Sequence, residues 1–411
     1  NAVTAAKIAS GSKLVTTDGQ NNVVVGTSAG DAFDGNAVSN LLLGTSAGTS
    51  LTNGDNNIGL GHNSLYDLTT GGQNIGIGVN SLENTTTSSD NIGIGHNSLS
   101  TNTTGEDNTA VGKDTLISNT TGSYSTAIGN ESLASNTTGR NTAVGHRSLR
   151  TVTTGNNNTG IGDHALNANT GGQNTALGHA ALQHNTTADG NTAVGYQALT
   201  ANTTGAQNTA VGYETLTVNT TTGESTAVGY RSLKLMAGGI RNTAIGAYTG
   251  SNITGGQYNE CMGYGALYNL STGSNNVSIG YKSLNQATTS SFNTGLGSET
   301  LRNNTTGASN TAVGFKALTA NTTASYNTAV GDNALTVNTT GNLNTAVGQQ
   351  ALDANTTGSD NTAVGVNALS DNTTTNHHTA VGYNALASNT SGTNNTAVGS
   401  RALDSNTTGY S

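Results

Sequence analysis

A glycine recurs at a nearly fixed interval from Gly26 to Gly399, closing a block whose commonest form is Asn-Thr-Ala-Val-Gly. Of the 22 intervals between the 23 copies, 19 are seventeen residues long, two are sixteen (129 to 145 and 162 to 178) and one is eighteen (26 to 44). A globular domain, whose elements vary in length and direction, cannot keep such a spacing. Units that each stack on the next in one geometry can, so the chain reads as a solenoid with one coil per repeat. This recurring glycine serves as the marker of each unit.

Composition supports this architecture. Only 32% of the 411 residues are hydrophobic and 4% aromatic, which leaves too little apolar surface for a large core. Such a polar chain would ordinarily read as disordered, but its aliphatics keep fixed places in every unit. The absence of proline and of any shift in composition argues for one continuous array. A net charge of −9 spread thinly along the chain offers no basic stripe for phosphate contacts, against nucleic-acid binding. No apolar run approaches the ~20 residues of a membrane span. Cys261 is the only cysteine, so no intrachain disulfide can form.

In chain order, residues 1–20 lie outside the period and form a lead-in. Residues 21–50 are two atypical units with Val24 and Leu42 two places before the marker and Gly30 and Gly48 four places after it, as expected of a capping end. Residues 51–411 are the regular array. The chain begins at Asn1 and stops just before another block is due, so the expectation is a segment of a longer polypeptide in which the array continues.

Within a unit, period-two alternation through the block predicts a short parallel strand, with Thr or Ile and then Val, Ile or Leu inward. Leu stands four places past the marker in 20 of the 23 units and supplies the third inward aliphatic. The stretch around that Leu, as in Tyr196-Gln-Ala-Leu-Thr-Ala-Asn202, fits a second strand or one short helical turn, and the turn is the expectation. Asn at the head of the strand and Asn-Thr-Thr in the turn should form side-chain ladders along the stack. Tyr196, Tyr213 and Tyr230, one past the marker in consecutive units, should stack as well. From the third unit onward the residue two before the marker is Ala, Gly, Ser or Cys, as at Gly59, Ala193, Cys261 and Ser278. This small stripe is expected to mark where another chain packs.

The side chains one and two past the marker, including Lys113, Asp114, His146, Arg147 and Asp332, read as solvent-facing. His62, His96, His146 and His179 share that variable slot and are read as solvated surface. His377 and His378 sit in a turn without a spaced ligand pattern. The Gly-x-Gly of the third to fifth units lacks the strand-turn-helix context of a dinucleotide site. The expectation is therefore no enzyme, no catalytic residue, no cofactor and no metal site.

The Asn-Thr-Ala-Val-Gly block resembles the Ser-Val-Ala-Ile-Gly repeat of trimeric autotransporter adhesin heads. The seventeen-residue form with x-x-Ala-Leu-x-x-Asn-Thr-Thr-Gly is closer to the repeats of bacteriophage tail-fibre proteins, and Val3-Thr-Ala-Ala-Lys-Ile-Ala9 is similar to tail-fibre linkers. The resemblance implies an all-β, parallel β-solenoid or β-roll forming a homotrimeric extracellular fibre on a virion or cell surface. The function it implies is a structural shaft that spaces a receptor-binding tip, meeting a cell-surface glycan or protein, from the particle. A bacterial surface adhesin is the alternative. An ice- or polysaccharide-binding solenoid is disfavoured, because the strand threonines read as inward.

Overall fold

The structure, a computed structural model, describes residues 16–409. Most of the lead-in, including Val3–Ala9, lies outside the described residues. The chain divides into two compact units, Asn1–Thr204 and Gly205–Ser411. In the first, strand Thr16–Thr17 runs antiparallel to Val23–Val25, and from there the strands are parallel and one per coil up to Thr192–Val194. The second repeats the plan from Thr209–Val211 to Thr396–Val398. Equivalent residues pair in register, Ile75 with Ile92 in the first unit and Val211 with Val228 in the second. The fold is an all-β solenoid of about seventeen residues per coil, as the spacing predicts, with no helix among the described residues.

The expected helical turn is replaced by two successive β-turns. In the coil of Gly61 they are closed by Ser64 N–H to Gly61 C=O at 3.4 Å and Leu68 N–H to Leu65 C=O at 3.2 Å. Between these, alternate residues are left-handed, Asn63 at φ 53° and Leu65 at φ 57°. A helical turn would spend its N–H groups inside the coil. Here Asn63 N–H reaches back to Thr45 C=O of the preceding coil and Leu65 N–H forward to Ser81 C=O of the next, at 3.1 and 3.0 Å. Holding leucine left-handed costs roughly 1–2 kcal/mol. The inter-coil bonds that this geometry permits, one per buried N–H that would otherwise lack a partner, offset it.

The strand phase is opposite to that expected. In the strand Thr311–Val313, Ala312 is buried while Thr311 and Val313 are half-exposed, and this pattern holds throughout the array. The small stripe is thus interior. It is small because the coil is thin: a Cβ built on Gly76 would lie 3.3 Å from Leu65 Cγ of the facing turn. Between its strand and its first turn each regular coil holds one large side chain, usually the leucine four past the marker. In the coil of Gly44 the roles are exchanged, with Leu42 projecting from the strand over Gly48, whose φ of 56° keeps the left-handed turn. The marker is glycine for a backbone reason. At φ 140°, a Cβ on Gly61 would stand 2.3 Å from the Gly78 carbonyl oxygen.

Much of the interior is amide. Asn57 is fully buried, yet its backbone and side-chain N–H groups both donate to Asn40 Oδ1 at 2.8 and 3.1 Å, and its Nδ2 donates to Gly71 C=O at 3.0 Å. The same three bonds recur at Asn74, and in the second unit at Asn310. A second ladder runs through the turn, where Asn119 Nδ2 donates to Asn102 Oδ1 at 3.1 Å and to Gly122 C=O at 2.9 Å. Polar side chains occupy this core because successive rungs satisfy one another.

Candidate functional site

After the marker the residue one past it is exposed and the residue two past it half-buried in most coils, as at His62 and Asn63 or Asp332 and Asn333, while Asp163 is half-buried in the first of these places. Stacking sets the slot residues of successive coils beside one another at about one strand spacing, roughly 4.8 Å. Variable side chains therefore meet in rows, and two rows build clusters.

In the first unit the row places His146, Asp163 and His179 in consecutive coils, with His164 beside Asp163. His146 Nδ1 and His164 Nδ1 lie 3.0 and 2.8 Å from Asp163 Oδ1, and His179 Nε2 lies 3.6 Å from Asp163 Oδ2. The ligating atoms of His146, Asp163 and His164 all fall within 4.8 Å of one another. Burial alone would push the Asp163 carboxyl up. Hydrogen bonds from His146 and His164, with their charges, outweigh it and hold the group below the usual carboxylate range. The neighbouring cations are engaged elsewhere: Arg147 and Arg150 both bind Glu131, at 2.9 and 2.7 Å.

In the second unit the row is aromatic. Tyr213 and Tyr230 stack at 5.4 Å between ring centroids, Tyr230 meets Tyr248 edge-on at 5.1 Å, and Tyr248 meets Tyr264 and Tyr268 at 5.9 and 6.1 Å. Tyr264 then stacks on Tyr281 at 5.8 Å. Arg231 and Lys282 lie over the Tyr230 and Tyr281 rings at 5.0 and 5.1 Å. Beside Tyr248, Tyr264 and Tyr268, where Gly265 leaves a slot without a side chain, opens a cleft of about 430 Å³ edged by Arg231, Lys282 and Asn285. Aromatic faces beside cations and an amide suit planar or sugar-like ligands.

The stacking of Tyr213 on Tyr230 matches the expectation from sequence. Tyr248 and Tyr268 were not legible as members, because they stand two and five places past the marker rather than one. His62 is solvent-facing, and His96 lies 3.9 Å from Asp114. His146 and His179 are in the exposed slot as expected, yet both face Asp163. His377 and His378 separate: His378 is buried on the inner asparagine ladder, where its Nδ1 accepts Asn395 N–H at 3.3 Å and its Nε2 lies 2.9 Å from Thr375 Oγ1. Cys261 is also inward, its Sγ 3.4 Å from Thr243 C=O, so it is not placed to bridge chains.

No protein-family model and no curated protein matches the chain.

Proposed function

We propose that the chain is the structural shaft of an extracellular fibre, of the kind that spaces a receptor-binding tip from a phage particle. The supporting observation is the construction of the coils. In each unit successive coils are bonded by strand pairing and turn N–H groups, and at many steps by asparagine rungs as well, which favours stiffness over a deformable core. Parallel self-association into a homotrimer belongs to the proposal, though not through the small stripe. The outward strand face carries exposed aliphatics such as Leu177 in the first unit and Ile245, Leu296 and Val398 in the second, a surface that association would cover. Electron microscopy with light scattering tests this. Stiff filaments of three-chain mass are expected, and compact monomeric particles would overturn the shaft.

The corrected strand phase favours a second reading. Thr311, Thr328, Thr345, Thr362 and Thr379 are outward and in register, alternating with half-exposed or exposed valines. This regular Thr/Val surface, which an inward assignment of the threonines discounts, suits ice or a crystalline polysaccharide. Inhibition of ice recrystallisation, or co-sedimentation with cellulose or chitin that Thr345→Tyr abolishes, would favour it over the shaft.

A further inference from the structure

We propose that His146, Asp163 and His164, with His179 as a fourth ligand, form a binding site for a divalent transition metal of the zinc class. Ligand chemistry comes first. Two or three neutral imidazoles and one carboxylate are a borderline-soft, mixed nitrogen and oxygen set of the kind zinc takes, with bonds of about 2.0–2.2 Å. Bonds of that length at a tetrahedral centre hold neighbouring donor atoms about 3.3 Å apart. The present separations, 2.8 and 3.0 Å for the two Nδ1 atoms from Asp163 Oδ1 and 3.6 Å for His179 Nε2 from Oδ2, bracket that edge. These donor pairs thus already lie near the spacing that a bound cation would impose.

The fold supports such a set in a way that an accidental surface cluster would not share. His146, Asp163 and His179 come from three consecutive coils whose backbones are fixed by pairing of Val144 with Ile161 and of Ile161 with Leu177. The His146 and His164 rings cross edge-on at 76°, and both Nδ1 atoms lie against the same oxygen, Asp163 Oδ1. With Arg147 and Arg150 held by Glu131, the entry side is free of their repulsion. The site is independent of the shaft reading. It would act as a clasp across three coils, or carry a bound metal at the surface of any assembly.

Zinc chloride titrated into the whole chain by calorimetry at pH 7.5 tests the proposal, with circular dichroism confirming that each variant folds without metal. Wild type is expected to bind one zinc ion per chain at this site. His164→Ala and Asp163→Asn should each weaken that binding by more than about tenfold, since even outer-sphere changes at zinc sites cost that much. His62→Asn, in the same slot of a coil without the cluster, should leave it unchanged. Absence of binding by wild type would overturn the proposal. So would binding that survives the His146→Ala/His164→Ala pair, which would place the zinc on other histidines.

Discussion

His378 shows how a single residue can enter the interior ladder and make it sensitive to acid. It stands where neighbouring coils have Asn361 and Asn395, and its backbone N–H donates to Asn361 Oδ1 at 3.1 Å as an asparagine's would. Its Nδ1 accepts Asn395 N–H, so protonating that nitrogen breaks the rung. Burial pulls the His378 pKa below its ordinary 6.5, the neighbouring His377 charge adding to this and a Gly392 backbone bond opposing it. A depressed folded value means that the unfolded chain binds the proton more readily. The stability contributed by the neutral ring is therefore present above pH 6.5 and is lost as pH falls below it toward the lowered folded value. His378→Asn should restore the amide rung and flatten this dependence. Thermal melts at pH 7.5 and 5.5 should show a smaller drop for the variant than for wild type, and equal drops would remove His378 as the cause.

At the level of the coil, the decisive feature is which strand face turns inward. The period, the place of the strand, the buried leucines and the exposed slot one past the marker were legible, because spacing and side-chain tolerance record them directly, whereas the residue two past it, read as solvent-facing at Asp114 and Arg147, is half-buried. Leu199 and Leu335 are fully buried, as expected. The phase was not legible, since the rule that aliphatics go inside fails where opposite walls are too close for two large side chains. Alanine then faces leucine, and asparagine enters because its ladder satisfies it. The left-handed turn was hidden for a related reason: its bonds run to other coils, and local Ala-Leu patterning resembles a helix. Ala193→Trp should accordingly prevent its own coil from closing, whatever the assembly state, while Thr192→Trp is accepted. The chain has no tryptophan, so fluorescence reads the outcome cleanly. The Thr192→Trp protein should resist protease and emit as a largely solvated indole, and a protease-resistant Ala193→Trp protein would reverse the phase assigned to that coil.

Across each unit, stability is a sum over coils and the contacts between neighbours. Cys261 supplies a gauge of it. The thiol is buried between walls, and desolvation raises its pKa far above the ordinary cysteine value, so the reactive thiolate is suppressed. Mild oxidation should give no disulfide-linked dimer. Iodoacetamide should label the native chain at least ~100-fold more slowly than the chain in denaturant, at a rate set by local opening. Rapid native labelling would mean that the coil of Gly263 frays readily.

The rows of side chains past the marker also bear on how such a molecule can acquire new properties. Each slot residue meets only the coil before and the coil after, so the His146–His179 group is complete within three coils and owes nothing to distant sequence. Within a unit the array works as a tape on which a short cassette of coils can be copied, moved or lengthened in whole periods. A pasted segment brings its surface chemistry with it, and the insertion is tolerated so long as its inner rungs match those at the splice.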